Sequence, residues 1–343
     1  MNSHQLRAVL AFLMILAAGL AEASELAGRI AAGVRVDDPS TILESLVAEP
    51  RIGEEESFFV SWTVPLDGSA EMSAVDAIRS AGARPWVRVV FSTPAPLVEN
   101  LDGLESELAV LAKIVRATGE SVFFQAVWRP AGGGLTAKDL GYLIKRAAVV
   151  VTGAAPGAGF SAGPLPSTRG ALEWLYLEEV AAYLDVLVLA PSDDMASAME
   201  VLAELDPGKP VAVDAVAWPE SDRSPVADIA GWAAAGAAVT FVDAGHRTDL
   251  DLRSLKVATR ELSDGLVHDP YSDPAGGGGA WAFVREDLGL RVVAKRKAGA
   301  GRLRLVFPDD QVRSPELVDL STGEVRSVTG VAKSGEFIVV VND

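Results

Sequence analysis

Cysteine is absent from the 343-residue sequence. That excludes disulfides, thiolate zinc sites, iron–sulfur clusters and a cysteine nucleophile. Positive charge is in short supply: 30 Lys and Arg stand against 47 Asp and Glu, a formal net charge of −17. Nucleic acid is excluded as a partner, and so is an anionic membrane surface, because phosphate binding needs clustered Lys and Arg. Histidine occurs three times. His246 lies near Asp243 and Asp249, but one His with loosely spaced carboxylates reads as a surface loop, not a metal site. The glycine runs Gly132-Gly133-Gly134 and Gly276–Gly279 lack the Lys-Ser/Thr and the strand–loop–helix setting of a phosphate loop, so they read as connectors. No metal and no cofactor is expected. What is present is globular: 49% hydrophobic and 22% charged residues exclude wholesale disorder.

Long apolar runs are also missing, apart from one near the N-terminus. Arg7 precedes Ala8 to Ala18, which carries no charge, and Ala21-Glu22-Ala23 then gives a small-x-small cleavage pattern. The run is shorter than the roughly 20 residues of a membrane span, so residues 1–23 read as a signal peptide, with a retained anchor as the competing reading. The mature protein is therefore expected in the periplasm or outside the cell, starting near Ser24.

Two textures alternate from residue 28 onward. Eight short, β-branched runs read as strands: Ile30–Val36, Phe58–Val64, Pro85–Phe91, Val122–Trp128, Gly157–Ala162, Val186–Leu189, Pro210–Ala217 and Ala238–Val242. Between most of them lie helical stretches: Ala70–Ala81, Leu101–Thr118, Ala137–Val151, Ala171–Leu184, Met195–Leu205 and Asp228–Ala235. Nearly continuous apolar strands in a repeated β–α order predict a closed parallel barrel, a (β/α)8 TIM barrel over 24–265. After it comes a breaker-rich linker, Asp269-Pro270, Asp273-Pro274 and Gly276–Gly279. Alternating runs follow at Ala280–Val284, Arg291–Lys295, Arg302–Val306, Glu316–Leu320, Val325–Val328 and Phe337–Val341. They predict a small antiparallel β-sandwich over 266–343, with Ser321-Thr322-Gly323 as a hairpin turn.

Barrel enzymes build their sites at the C-terminal ends of the strands. Three Trp residues fall there, Trp62, Trp128 and Trp218, and flat rings of this kind stack on sugars. Arg129 stands beside Trp128. It suits sugar hydroxyls or a uronate carboxylate, and suits equally an ion pair with Asp214 or Glu220. Trp86, Trp174 and Trp232 fall at strand starts or in helices and read as structural. Strands one and eight end in Asp37, Asp38 and Asp243, and Asp193-Asp194 precedes Met195; acidic residues there often cap the next helix. Glu220 and Asp222 follow strand seven.

Several of these passages resemble clan A glycoside hydrolases. Phe123–Pro130 (FFQAVWRP) is similar to the fourth-strand region that carries Trp-Asn-Glu-Pro in that clan. Leu140-Gly141-Tyr142-Leu143, then Phe160-Ser161-Ala162-Gly163, resemble the helix and strand that follow it. Leu175 to Pro191, with Asp185 before the apolar run, resembles the sixth-strand passage. Lys209-Pro210 through Trp218-Pro219 resembles the seventh strand. Val318-Asp319-Leu320-Ser321-Thr322-Gly323-Glu324 looks like the domain after barrels of the family-39 type.

The resemblance implies a site with two glutamates, an acid/base on strand four and a nucleophile on strand seven. This sequence departs from it at both. Arg129 takes the acid/base place and Ala215 the nucleophile place; Ala190 stands where the sixth-strand His belongs. Ala215 has nothing to attack with, and Arg129 is a poor proton donor. Displaced carboxylates are the remaining candidates: Glu220, Asp243 and Asp214. Because strand neighbours point to opposite faces, Asp214 is expected to face the helix layer if Ala215 faces the mouth.

The leading expectation is an exported, catalytically degenerate glycoside-hydrolase-like protein that binds or scaffolds polysaccharide. The alternatives are an active hydrolase using displaced carboxylates, and a structural subunit of an envelope or exopolysaccharide assembly with an envelope protein as partner.

Overall fold

A computed structural model describes residues 26, 30–48, 58–67, 72–129, 135–192, 195–217, 225–245, 252–262, 266–268, 278–285, 289–296, 316–318, 325–327 and 336–341. Eight parallel strands close into a barrel in sequence order. They are β1 (Ala31–Val36), β2 (Phe58–Pro65), β3 (Arg84–Phe91), β4 (Phe123–Trp128), β5 (Gly159–Leu165), β6 (Val186–Leu189), β7 (Val211–Ala217) and β8 (Val239–Gly245). β8 pairs with β1, so no sheet edge is left open. The eight strands and the closed barrel are those the apolar runs predict.

A helix follows each strand: α1 (Ser40–Ala48), α2 (Ala74–Ser80), α3 (Leu101–Thr118), α4 (Ala137–Ala154), α5 (Arg169–Tyr176), α6 (Met195–Leu205), α7 (Val226–Ala234) and α8 (Leu252–Leu262). α3 shows the logic. Leu104, Leu108, Leu111 and Val115 recur at three- and four-residue spacing and are all buried, one apolar stripe laid on the barrel. Gly119 takes φ +73° and ends the helix, a backbone shape that only glycine adopts cheaply. α4 starts where Thr136 accepts a hydrogen bond from the Asp139 N–H, capping its first turn. The helix predicted over Ala171–Leu184 is shorter. α5 stops at Tyr176, Glu179 turns to φ +55°, and a separate 3₁₀ turn covers Ala181–Tyr183. α1 and α8 have no counterpart in the sequence reading.

Beyond the barrel, six strands form one antiparallel sheet: β9 (Leu266–His268), β10 (Gly278–Arg285), β11 (Gly289–Arg296), β12 (Glu316–Val318), β13 (Val325–Ser327) and β14 (Glu336–Val341). β12 and β13 pair antiparallel with Val318 opposite Val325; the turn expected at Ser321-Thr322-Gly323 lies outside the described residues. Gly278 and Gly279, read as linker, open β10, and β9, just before the linker, has no counterpart among the runs read as strands. The strand expected at Arg302–Val306 lies outside the described residues. This sheet leans on the barrel: Val293, with Trp281 beside it, packs into an apolar cluster with Val226, Ala230 and Ala233 of α7 and Val257 and Leu262 of α8. Among the described residues no helix is long and apolar enough to cross a membrane.

Candidate functional site at the barrel mouth

The barrel interior has two layers of different chemistry. At the bottom, Phe59, Trp86, Phe123 and Phe241 are fully buried and pack ring against ring. Trp86 stacks on Phe123 with centroids 4.8 Å apart, and meets Phe241 edge-on at 4.9 Å. Gly33 and Gly159 make room for these rings. A Cβ at Gly33 would come within 2.5 Å of the Phe241 ring, and one at Gly159 within 2.4 Å of the Phe123 ring. The bottom of the barrel is therefore a solid aromatic plug.

Above it the interior is polar. β1 contributes Arg35, β2 Ser61 and Thr63, β3 Arg88, β4 Gln125, β5 Ser161, β7 Asp214 and β8 Asp243. Asp214 is 1% exposed. Its carboxylate meets Arg88 Nη2 at 3.1 Å and Arg35 Nη1 at 3.4 Å, and Gln125 Nε2 donates to it at 3.4 Å. Arg35 also reaches across the β1–β8 seam to Asp243, its direct register partner. Arg88 Nη1 donates to Thr63 Oγ1 at 3.3 Å. Gln125 is held at both ends: its Oε1 accepts from Trp86 Nε1 at 2.8 Å, and its Nε2 donates to the Gly163 carbonyl at 2.9 Å. The aromatic plug thus orients the polar layer directly above it.

A charge in so dry a place is costly unless it is paired and hydrogen-bonded. The two arginines and two aspartates meet that condition together. Burial pushes the Arg88 guanidinium below its ordinary pKa; Asp214 pulls it back up, while the charges of Arg35 and Arg129 press it down. Two donors here have no partner among the described residues, Arg88 Nε and Ser61 Oγ, and both residues are almost wholly buried.

Asp214 was expected to face the helix layer; it faces the barrel interior instead. It sits on the axis side of β7 with Ala212, the alternation running one residue out of step with the reading that put Ala215 at the mouth. The β7–β8 register shifts between Val213 and Val216, the stretch that holds Asp214 and Ala215. The same alternation overturns the placement of Trp62. Ser61 and Thr63 take the interior, while Trp62 packs into the core between strands and helices and is 3% exposed. No ring face remains there for a sugar. Trp128 is half-buried against that same core, and its indole N–H is buried with no acceptor among the described residues. Arg129 is exposed, its N–H bonded to the Phe91 carbonyl at 3.0 Å. It pairs with neither Asp214 nor any other described carboxylate; Arg35 and Arg88 have taken Asp214. Trp218, Glu220, Asp222, His246, Asp193, Asp194 and Gly132-Gly133-Gly134 lie outside the described residues. Trp174, read as structural, is 66% exposed on α5.

Arg35, Arg88 and Gln125 were missed in the sequence, although they leave a signal. Each is a strong polar residue set among apolar neighbours inside its strand, in VRV, WVRVVF and FFQAVW. Such a residue is tolerated only when several strands supply its partners.

Chemically, the layer offers two carboxylates whose oxygens are engaged by guanidinium groups. Strand four ends without a carboxyl group. Asp243 alone reaches solvent to any extent, at 32% exposure, and Gly245 N–H donates to its other oxygen at 3.1 Å. Among the described residues no group of His, Asp and Glu is arranged to hold a metal.

No family model matches the sequence, and no curated protein resembles it closely enough to count. Solved structures do. A family 39 glycoside hydrolase from Bacteroides cellulosilyticus superimposes with a TM-score of 0.62 at 13% identity, over 92% of this chain and 82% of its own. A bifunctional glucanase–xylanase from a metagenome library gives 0.59 at 10% identity, over 92% and 98%. A family 30 xylanase from Clostridium acetobutylicum gives 0.57 at 11% identity, over 91% and 94%. At these identities the likeness is one of fold: the chain shares the closed eight-stranded parallel barrel of these structures.

Proposed function

We propose that this chain is an exported glycoside-hydrolase-like protein that binds polysaccharide at the barrel mouth and does not hydrolyse it. One observation carries the reading: the interior carboxylate of β7, Asp214, is buried and tied to Arg35, Arg88 and Gln125. A retaining glycosidase needs two carboxyl groups about 5–5.5 Å apart, one attacking and one donating a proton. Here strand four supplies Arg129 instead of an acid. A polar floor with an exposed Arg129 at its rim offers fixed donors to a saccharide. Residues 1–23 are the export signal in this reading. Residues 24–265 form the binding barrel, and residues 266–343 form a β-sandwich of which the described sheet is one layer.

The test pairs a panel of aryl glycosides with retention on immobilised polysaccharides. The reading expects retention without turnover. An active hydrolase is the second reading, favoured by the solvent-reaching carboxylate of Asp243. Turnover that disappears in Asp243→Asn or Glu220→Gln would establish it and end the first.

A further inference from the structure

We infer that the barrel mouth selects saccharides that carry a carboxylate, with Arg129 as the group that receives it; this rests on the saccharide-binding reading above. The inference comes from the charge ledger of the interior. Among the described residues, the guanidinium groups of Arg35 and Arg88 are paired with Asp214 and Asp243, and that of Arg129 is not paired. Asp214 is consumed below by Arg88 and Arg35, and Asp243 is consumed by Arg35. Among the described residues, the guanidinium here that meets no carboxylate is that of Arg129. It is exposed, no described carboxylate touches it, and its charge acts on Arg88 beneath it.

An exposed guanidinium at a barrel mouth, unpaired among the described residues, is conspicuous in a chain of net charge −17. Its backbone is fixed by the hydrogen bond to Phe91, at the end of a strand and not on a free loop. The planar fork of a guanidinium matches a carboxylate in a bidentate pair, which a hydroxyl does not. A second observation points the same way. Arg88 Nε and Ser61 Oγ have no partner among the described residues and are more than nine-tenths buried in the polar layer, so donor capacity is left over there. Asp243 and Arg35, 32% and 22% exposed, supply an acceptor and a donor for neighbouring hydroxyls. The ligand class is a uronate-containing glycan.

The experiment uses the full mature chain and measures affinity for polygalacturonate, for the same polymer after carboxyl reduction, and for a sulfated neutral glucan. The wild type is expected to bind the uronate polymer at least about tenfold more tightly than its reduced form, with the preference falling as salt rises. Arg129→Gln should remove the preference and leave weak binding to both. Asp243→Asn, which frees Arg35, should raise affinity for the uronate polymer a few-fold. Equal affinity for acidic and reduced polymers overturns the inference and leaves the saccharide reading standing. So does a preference for the sulfated glucan over the uronate. Binding to none of the three polymers overturns both. Arg129→Lys separates charge from geometry: loss of most of the preference supports the bidentate pair, and full retention contradicts it.

Discussion

The lower and upper halves of the barrel interior are built from the same eight strands and solve opposite problems. The lower half is filled by Phe59, Trp86, Phe123 and Phe241, with Gly33 and Gly159 hollowed out to admit the rings. Its stability comes from area removed from water and close packing. The upper half gives that up. It buries Arg88 and Asp214, leaves two donors without a partner among the described residues, and keeps Arg35 and Asp243 partly open to solvent. Replacing a buried ion pair by apolar residues is often neutral or stabilising, so such a layer is poor evidence of a need for stability. The contrast says that the bottom holds the fold and the top is kept polar for another purpose.

The sharpest way to break this contrast is to remove one partner from the upper layer. Asp214→Ala leaves Arg88 buried beside fewer countercharges and is expected to cost about 3–5 kcal/mol in urea unfolding. The double variant Arg88→Met/Asp214→Leu should recover most of that loss, because the charges leave together. If the double variant is as unstable as the single one, the upper layer is structural after all. In the lower layer, Phe241→Ala is expected to cost about 3–4 kcal/mol, with no apolar substitution able to restore it unless it refills the volume. Trp62→Ala sharpens the functional side. It should cost about 3 kcal/mol of stability and leave glycan affinity per folded molecule unchanged, because its ring lies in the helix-facing core. A loss of affinity without a loss of stability would return Trp62 to the mouth.

Smaller effects separate scaffold from site. Burial pushes the Asp139 carboxyl up, but hydrogen bonds from Thr136 and from the Leu97 N–H outweigh it and hold the group below its usual value of 3.8. A carboxyl lowered in the folded state adds stability above its unfolded pKa and loses it as pH falls through the folded one. Asp139→Ala should therefore cost about 1–2 kcal/mol at pH 7. The gap to wild type should close below about pH 4. Asp185 runs the other way. Burial raises its carboxyl despite a hydrogen bond from the Phe160 N–H and the nearby Lys209 charge. Its contribution is most favourable below the ordinary carboxyl range and declines as pH rises through the raised value. The smallest effect belongs to Arg129→Gln. As an exposed residue it should change stability by less than about 0.5 kcal/mol, so any change in binding is its own.

Much of this architecture was legible in the sequence. Strands such as Val186–Leu189 and helices such as Leu101–Thr118 and Met195–Leu205 carry strong, unbroken periodicity, and the structure matches their bounds. α1 and α8 were not read, although in α8 Leu252, Leu255, Thr259 and Leu262 recur at helical spacing and are buried. The site was less legible for a specific reason. A one-residue choice of face reverses every side chain on a strand. Taking Ala215 as the mouth residue turned Asp214 outward, and taking strand-end Trp62 as a mouth residue hid Ser61 and Thr63. The ion network also joins residues 179 and 208 positions apart, Arg35 with Asp214 and with Asp243, which no local pattern reveals. The better signal was a lone Arg, Gln or Asp inside each apolar run.

The central claim is that the mouth holds a glycan and leaves it whole. Its most direct test is a fluorescently end-labelled oligosaccharide, incubated with saturating protein while polarisation and label length are followed together. The account predicts raised polarisation with the label still on a full-length chain after prolonged incubation. A shortened labelled product from wild type, absent with Asp243→Asn, would contradict it.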